Sequence, residues 1–533
     1  MMRFAALYHS LDSTTKTNAK IVAMADYFSA VAASDAAWAT YFLSGNKLRR
    51  LVPTKLLRSW AAEEAGIASW LFEESYHAVG DLAETLSLIV PPGQVVDDLS
   101  LTQWVEERLL PLRGCDEDEL RTAVVDIWRQ TSTPVRFVIM KLITGAFRVG
   151  VSKRLVTRAI AEQSAVTADV VSHRLMGNWE PTSTFFQQLI DPDTRDTQAS
   201  QPYPFCLAHP IEIEHGPAVL GDAADYVAEW KWDGIRGQVI RRQQQSFIWS
   251  RGEELMENRW PEIEAAAAAL PNGTVLDGEI LACRSSGEVL PFAQLQRRIG
   301  RKSVGKKLRR EVPVVFHAFD LLEHAGVDIR ELPLIDRRAR LENLLASLEH
   351  PNLAISDRIA GASWDDWAAI REHSREHRAE GLMLKRNDSV YDVGRVRGTW
   401  WKWKVAPYTI DAVLIYAQKG HGRRASLFTD YTFALWDEGV LVPFAKAYSG
   451  LQDKEIREVD RFVRKNTKDS FGPVRSVTPA LVMELAFEGL QRSPRHKSGV
   501  ATRFPRILRW RHDKRPQDAN QLSDLLKLAP PES

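Results

Sequence analysis

The chain has 533 residues, enough for three or four domains that each have a hydrophobic core. Its 70 lysines and arginines balance 69 acidic residues, so the formal net charge of +1 does not indicate a polyanionic partner. The three cysteines lie far apart, which excludes a disulfide framework and a four-cysteine zinc site. We therefore expect a reduced, cytosolic protein.

The sequence contains no segment directed to a membrane. Its N-terminal stretch lacks an apolar core of signal-peptide length. No run approaches the roughly 18 apolar residues of a membrane span. We expect a soluble protein that is not exported and has no membrane partner.

Residues 4–188 have the spacing of amphipathic helices. Apolar residues such as Ile21, Met24 and Phe28 recur every three or four positions. This pattern predicts an all-α N-terminal domain. Residues 181–210 shift to Pro, Thr, Gln, Ser and Asp without a sustained period, which predicts a linker.

Two segments of the helical part, residues 44–57 and 143–162, place Gly, Ser or Thr beside Lys and Arg where a helix is predicted to begin. Free backbone N–H groups and positive side chains can bind phosphates there without reading bases. Capped helix starts with exposed cations would show the same pattern. The candidate nucleic-acid-binding residues are Lys47, Arg49, Arg148, Lys153 and Arg154.

Beyond the linker, short β-branched and aromatic runs are interleaved with helices, which predicts an α+β domain. Its stretch KWDGIR, at residues 231–236, holds a lysine between two tryptophans and before Asp-Gly. Such a lysine could be a solvated residue at a strand end before a turn. It could also be an amine held beside an anion, which makes Lys231 a candidate nucleophile.

Two carboxylates favour the second interpretation. Glu279 lies in LDGEI and Glu380 in EGLMLK, both within otherwise apolar strands. A single acid of this kind is more often a turn or strand-edge residue. Two of them in the same domain as the candidate nucleophile suggest oxygen ligands for Mg²⁺, which prefers one or two carboxylates together with substrate phosphates and water.

An aromatic residue and a pair of lysines extend this group. Phe316, in FHAFDLL, offers an aromatic face, although an alternating strand would bury such a residue in most proteins. Lys402 and Lys404, in WWKWK, lie two residues apart and therefore on one face of a strand. Two cations on one face favour a phosphate site, and an edge strand protected by lysines is the alternative.

The rest of the chain is predicted to be a small barrel with a basic tail. Short strands, a hairpin at 431–448 and an amphipathic helix at 451–467 suit a barrel that binds polynucleotide. Basic residues also concentrate at 297–310 and 492–515. Such runs are either solvated loops or surfaces that face a polyanion.

Seven motifs occur in order along the chain: KWDGIR, SRGEELMENRWPE, LDGEI, FHAFDLL, EGLMLK, WWKWK and RFPRILRWRHDK. Together they resemble the motif series of the ATP-dependent DNA ligases, within the covalent nucleotidyltransferase superfamily. The helical first part also looks like the DNA-binding domain of larger ligases. The resemblance implies a helical DNA-binding domain with linker at 1–205, an α+β nucleotidyltransferase (ATP-grasp-like) domain at 206–405 and an OB-fold β-barrel at 406–533.

The resemblance also implies a reaction in three steps. Lys231 would attack the α-phosphate of ATP, release pyrophosphate and carry AMP. The AMP would move to the 5′-phosphate of a nick in duplex DNA, and the neighbouring 3′-OH would displace it. The helical domain would close the monomer around DNA, and the OB domain would swing between the first and the later steps.

Roles for single residues follow from the same resemblance. Lys231 would be the catalytic residue, and Glu279 and Glu380 would hold Mg²⁺ or Mn²⁺. Lys402 and Lys404 would neutralise the α-phosphate as charge develops.

Further residues would bind the nucleotide. Glu229 would recognise the adenine edge and Phe316 would stack on it. Arg236 and Arg251 would hold the ribose or the 5′-phosphate of the nick, with Glu279 beside them. The residues that orient pyrophosphate would be Arg503, Arg509, Arg511, Asp513 and Lys514.

Other functions with similar motifs are less compatible with this sequence. An RNA ligase or a GTP-using capping enzyme shares the Lys-x-Asp-Gly pattern, but the long helical first part looks like a duplex-DNA clamp. NAD-dependent ligases carry a four-cysteine zinc module that is absent here. A catalytically silent scaffold would have lost Lys231, Glu279 or Glu380, and all three are present. We expect a bacterial or archaeal protein that acts in the cytoplasm at the nucleoid.

Overall fold

The structure is a computed structural model. It describes residues 1–48, 50–94, 99–177, 179–194, 199–211, 217–256, 258–301, 303–420 and 426–529. Its internal contacts divide the chain into two compact units. One comprises residues 1–23, 38–153 and 406–533, and the other comprises residues 24–37 and 154–405.

Helices form the first part of the chain because apolar residues recur at helical spacing and acidic side chains cap some of the starts. Asp116, for example, accepts hydrogen bonds from the N–H groups of Asp118 and Glu119. The helices are α1 (Met2–Ser13), α2 (Thr17–Ala30), α3 (Ala33–Leu43), α4 (Thr54–Glu64), α5 (Ser69–Val79), α6 (Leu82–Ile89), α7 (Leu101–Gln103), α8 (Glu117–Arg129), α9 (Thr133–Thr144), α10 (Lys153–Glu162), α11 (Ala168–Arg174) and α12 (Ser183–Ile190). The predicted all-α N-terminal region is confirmed.

The region predicted as a linker contains one of these helices, α12. Its residues Phe186 and Leu189 are buried, and Thr182 caps it by accepting from the N–H of Phe185. The four apolar residues of this segment span only about two helical turns, a pattern too short to outweigh the surrounding Pro, Thr and Asp. The linker is therefore partly helical.

The middle of the chain combines two sheets with flanking helices. Its strands are β1 (His209–Pro210), β2 (Tyr226–Trp232), β3 (Ile235–Arg242), β4 (Gln245–Ser250), β5 (Thr274–Ala282), β6 (Val314–His324), β7 (Val327–Asp328), β8 (Leu353–Ile355), β9 (Ala379–Arg386) and β10 (Trp400–Lys404). Its helices are α13 (Pro261–Ala269), α14 (Phe292–Ile299), α15 (Lys306–Glu311), α16 (Leu334–Leu348) and α17 (Trp364–Glu372).

One sheet has the strand order β1-β10-β9-β2, and the other has the order β4-β3-β5-β6-β7 with β8 beside β6. Ile240, Val275 and Leu322 of the larger sheet join Trp400 of the smaller one in a single buried cluster. A core therefore lies between the two sheets, as expected for an α+β domain.

The C-terminal part is a barrel of the OB-fold type. Its elements are β11 (Tyr408–Lys419), β12 (Phe428–Asp437), β13 (Val440–Ala447), α18 (Asp453–Asn466), β14 (Thr467–Phe471), β15 (Val474–Val477), β16 (Val482–Phe487), β17 (Gly489–Arg492), β18 (Val500–Arg503), β19 (Arg506–Trp510) and α19 (Leu522–Lys527). The main sheet has the order β13-β12-β11-β15-β14, and β16 joins β11 to β19. Val459 and Val463 of α18 pack into the barrel core. The predicted three-part fold class is confirmed.

No helix of the described ranges is long and apolar enough to cross a membrane. The three cysteines, Cys115, Cys206 and Cys283, are free thiols.

Candidate active site

The amine of Lys231 lies against the carboxylate of Glu380. Lys231, on β2, donates a hydrogen bond of 2.6 Å to Oε2 of Glu380, on β9. The amine of Lys404, on β10, is 3.2 Å from the same oxygen. Burial on its own would raise the pKa of Glu380, but the two lysines outweigh it and lower that pKa to about 2. Glu380 is therefore an anion between two amines.

Strand pairing produces this contact. β2 pairs antiparallel with one edge of β9, with a register shift at Lys231. β10 pairs with the other edge and places Lys404 opposite Gly381. Gly381 has a φ of 140°, and a Cβ there would lie 2.2 Å from the carbonyl oxygen of Trp403. Glycine beside Glu380 is thus required for the close approach of the two strands.

Glu279 lies within electrostatic range of the same lysine but on the larger sheet. The register of β3, β5 and β6 places it between Arg236 and His317. Burial raises the pKa of its carboxyl to about 8, although Lys231, Arg236 and Arg251 oppose the rise. Within the described part of the chain, the Glu279 side chain makes no hydrogen bond or ion pair. Lys231 is therefore hydrogen-bonded to the carboxylate of Glu380 and lies near a second carboxyl, that of Glu279, which has no such partner among the described residues.

The Asp-Gly step after Lys231 carries the chain from one sheet to the other. β2 ends at Trp232 and β3 begins at Ile235, so the connection is two residues long. A Cβ at Gly234 would lie 2.5 Å from the carbonyl oxygen of Ile280 and 2.8 Å from Cγ of Glu279. The glycine of KWDGIR thus allows the chain to pass directly over β5, which brings Lys231 and Glu279 into one site.

The two carboxyls of Glu279 and Glu380 are a donor set for a hard divalent cation. Among the residues that the structure describes, no group of three or more His, Cys, Asp or Glu side chains could hold a metal. Mg²⁺ needs only one or two carboxylates when phosphates and water complete its shell. A cation would stabilise the uncompensated Glu279, so these residues fit Mg²⁺ that binds together with a nucleotide.

The two arginines predicted to bind ribose or phosphate differ in their surroundings. Arg236 donates to the buried carboxylate of Asp277 at 3.1 and 2.7 Å, and its side chain is 11% exposed. Arg251 lies on an exposed turn after β4, with its backbone N–H bonded to the carbonyl of Arg236 at 2.9 Å. Arg251 is accessible to a ligand, whereas Arg236 already has a carboxylate partner.

Phe316 lies in the hydrophobic core. It is fully buried, and its ring would be 2.6 Å from a Cβ at Gly278. Residues 278 and 279 alternate along β5, so Phe316 faces the side of the sheet opposite Glu279. Phe319 of the same strand is only partly buried, and the guanidinium carbon of Arg236 is 5.2 Å from its ring centroid. Phe319 is the aromatic residue at the site that the sequence interpretation missed.

Glu229 is buried between two cations. Its carboxylate accepts hydrogen bonds from Lys385 at 3.0 Å and from Arg338 at 3.3 Å. The Lys385 amine also lies 4.2 Å from the ring centroid of Phe319. Lys385 and Arg338 were not predicted. The motif EGLMLK contains Lys385 and could have indicated it, whereas no motif contains Arg338.

Comparison with known proteins agrees with this geometry. Residues 207–404 match the model described as ATP dependent DNA ligase domain, residues 1–161 that of DNA ligase N terminus, and residues 424–514 that of ATP dependent DNA ligase C terminal region. A relative from Koribacter versatilis, named probable DNA ligase, is 32% identical over 98% of this chain and 95% of its own length. The chain belongs to the ATP-dependent DNA ligase family.

Further similarities extend over the full length of the ligase. The DNA ligase of Thermococcus fumicolans is 27% identical over 98% of this chain and 97% of its own length. The solved structure named Pmar-Lig_PreS3 is 15% identical, covers 95% of this chain and 99% of its own, and has a TM-score of 0.62, which shows a shared fold. The family expected from the seven motifs is confirmed.

Acidic side chains hold the predicted pyrophosphate-binding residues of the ligase's C-terminal domain. The Lys514 amine donates to Oδ2 of Asp411 at 2.6 Å. Arg511 donates to the same oxygen at 2.9 Å and to Asp513 at 2.7 Å. Asp411, which lies at the start of β11 and was not predicted, therefore fixes two cations of the motif RFPRILRWRHDK.

The other two predicted residues of this motif lie nearby in sequence. β16 places Glu484 opposite Asp411 on one side and opposite Arg509 on the other. Arg509 forms an ion pair with Glu484. The guanidinium carbon of Arg503 is 5.1 Å from the ring centroid of the exposed Phe504.

The two segments of the N-terminal domain predicted to bind DNA meet in the ligase. A Cβ at Gly145, just after α9, would lie 4.0 Å from Cδ of Lys47. Arg148 is exposed, and its carbonyl accepts a hydrogen bond of 3.3 Å from the hydroxyl of Tyr8. The two segments therefore approach each other at Lys47 and Gly145.

A buried lysine fixes the loop before α10. The amine of Lys20 donates to the carbonyls of Val149 and Gly150 at 3.0 and 2.9 Å. Lys153 and Arg154 are the first two residues of α10. The fifth predicted residue of this group, Arg49, lies outside the described residues.

Proposed function

We propose that this ligase seals nicks between a 3′-OH and a 5′-phosphate in duplex DNA. The reaction would pass through AMP bound covalently to Lys231 and through an adenylylated 5′-phosphate, and it would release pyrophosphate and AMP. The observation that carries the proposal is the 2.6 Å contact between the Lys231 amine and Glu380, with Glu279 in electrostatic range.

The first step forms a bond between the nitrogen of Lys231 and the α-phosphorus of ATP. The bond from that phosphorus to the bridging oxygen breaks, pyrophosphate leaves, and the amine releases its protons to solvent. Glu380, with a pKa of about 2, is a poor proton acceptor at neutral pH. Its role is to orient the amine, while Lys404 and Lys402 stabilise the charge that develops on the α-phosphate.

Glu279 and Glu380 are the residues that would hold Mg²⁺ or Mn²⁺. The ion, when bound, supplies positive charge that screens the phosphates from the two carboxylates. Phe319 and Arg251 are accessible to the adenosine part of the nucleotide. Arg236 is held by its ion pair with the buried carboxylate of Asp277.

Two further steps would use the same site. The 5′-phosphate oxygen of the nick attacks the phosphorus of the adduct, and the bond to Lys231 breaks. The 3′-OH then attacks the 5′-phosphate and AMP leaves. We propose that Lys47, Arg49, Arg148, Lys153 and Arg154 hold the duplex through its phosphates, which predicts strong dependence on salt and little sequence preference.

A label-transfer experiment tests the proposal. The protein is incubated with Mg²⁺ and ATP, GTP or NAD, each labelled in the transferred nucleotide. ATP should give a covalent protein adduct, and Lys231→Ala should give none. Arg340→Ala, which changes an exposed arginine on α16, is the matched control and should label like the parent. Equal labelling of Lys231→Ala and the parent would refute the assignment.

A further inference from the structure

A short loop beside the nucleophile carries two arginines that none of the motifs includes. Residues 387–399 connect β9 to β10, and Arg395 and Arg397 are exposed in the second half of this loop. The loop backbone is fixed, because Gly394 donates to the carbonyl of Phe205 at 3.0 Å and accepts from Leu207 at 2.7 Å. The two arginines are therefore presented from an ordered backbone.

These arginines and Lys402 have no acidic partner. Within the part of the chain that the structure describes, the side chains of Arg395, Arg397 and Lys402 make no ion pair or hydrogen bond. Four other cations of the site are paired: Lys231 and Lys404 with Glu380, Arg236 with Asp277, and Lys385 with Glu229.

All three cations lie within electrostatic range of His209, and Arg395 also lies within range of Lys402. Burial lowers the pKa of the Lys402 amine, and Arg395 lowers it further, as do Lys231 and Lys404. Burial also lowers the pKa of His209, on the neighbouring β1, and Arg395, Arg397 and Lys402 add to that effect. Positive charges that converge without a carboxylate repel one another unless an anion lies between them.

The position of these cations follows from the strands. Lys404 lies at the end of β10 that contacts Glu380, and Lys402 is two residues, or about 7 Å, further along the same face. β1 runs parallel to β10 with Pro210 opposite Lys402. Positive charge thus extends from the nucleophile along β10 towards the start of that strand, where the 387–399 loop lies.

We propose that Arg395 and Arg397, next to Lys402, form a second phosphate-binding patch, which holds an oxyanion beside the phosphate that reacts at Lys231. Guanidinium groups bind phosphate through paired N–H donors, which suits this ligand chemistry. The oxyanion belongs either to the β- and γ-phosphates of ATP or to a backbone phosphate of the DNA strand. The inference rests on the proposed nick-sealing function.

The test separates these two sources with one double variant. Arg395→Ala/Arg397→Ala is compared with the parent and with Arg340→Ala in two assays. The first is self-adenylation as a function of ATP concentration. The second is sealing, without ATP, of a nick whose 5′-phosphate already carries AMP. We expect a loss of about tenfold or more in at least one assay, because charge-assisted contacts to phosphate are lost.

A loss in the first assay assigns the patch to ATP, and a loss in the second assigns it to DNA. If DNA is the ligand, the slope of log binding constant against log salt concentration should also become shallower. The change should correspond to the loss of about one or two phosphate contacts. Arg395→Lys/Arg397→Lys should restore part of the lost activity, since it keeps both charges. Activity within twofold of the parent in both assays, or a loss that lysine does not reduce, would overturn the inference. Failure of the parent itself to adenylate would instead refute the proposed function.

Discussion

The carboxyl of Glu279 should make the stability of the nucleotide-free protein fall as pH rises. Its pKa is about 8 in the fold, against an ordinary 4.5, because the carboxyl is half-buried and has no hydrogen-bond partner among the described residues. Between these values the folded protein binds more protons than the unfolded chain, so raising the pH through this window removes stability. The shift corresponds to at most about 5 kcal/mol. Solvent and Lys231 screen the charge of this half-buried carboxyl. We therefore expect the loss of folding stability to be ~1–2 kcal/mol.

Thermal unfolding of Glu279→Gln and the parent at pH 5 and pH 9 measures this effect. The variant cannot ionise, so its Tm relative to the parent should rise by about 4 °C between the two pH values. Glu380→Gln is the matched control of opposite sign, because the pKa of Glu380 is lowered to about 2. It should be less stable than the parent at pH 7, with a difference that shrinks as pH falls from 4.5 towards 2. A Tm difference for Glu279→Gln that is the same at pH 5 and pH 9 would refute the reasoning.

Three further predictions concern the nucleotide, the C-terminal domain and DNA. Phe319→Ala should raise the ATP concentration needed for self-adenylation and have little effect on Tm. Phe316→Ala should instead lower the free energy of unfolding by about 3–5 kcal/mol, because it removes a core side chain. The reverse pattern would place the adenine base at Phe316. Asp411→Asn should slow self-adenylation and spare sealing of a pre-adenylated nick, since Arg511 and Lys514 lose their shared anchor; equal loss in both assays would contradict that role. Arg148→Ala should weaken binding to nicked DNA and leave self-adenylation unchanged. The salt dependence of DNA binding should decrease by the equivalent of about one phosphate contact. An unchanged salt dependence would exclude a phosphate contact by Arg148.

The sequence was sufficient for the contacts that depend on short motifs. Asp-Gly after Lys231 predicts a tight connection, and Gly234 indeed allows the chain to cross β5 beside Glu279. The spacing in WWKWK predicts that both lysines share a face. The motif EGLMLK predicts an acidic residue at the start of a strand. The structure places this residue, Glu380, against Lys231.

The side of a strand that faces the site could not be predicted. FHAFDLL is apolar or aromatic at nearly every position, so its pattern does not distinguish the two faces of β6, and Phe316 and Phe319 are equivalent in sequence. A register shift between β5 and β6 after Asp277 adds a further irregularity at Phe319. Only the pairing with β5 shows which ring lies on the side of Glu279.

Contacts between distant parts of the chain were also beyond the sequence. Lys20 lies in an ordinary amphipathic helix, yet its amine holds carbonyls about 130 residues further on. Asp411 lies in a strand with no motif, yet it anchors Lys514 across the barrel. Neither residue has a local signal, because its partner is set by tertiary packing.

The central claim is that Lys231 carries AMP and passes it to a nick. The most direct measurement uses protein labelled with ATP, freed of nucleotide and mixed with nicked duplex DNA in the presence of Mg²⁺. Peptide mapping before mixing should locate AMP on Lys231 alone, and after mixing the label should leave the protein as free AMP, with one nick sealed for each adduct consumed. AMP on another lysine, or an adduct that persists while nicks are sealed, would contradict the account.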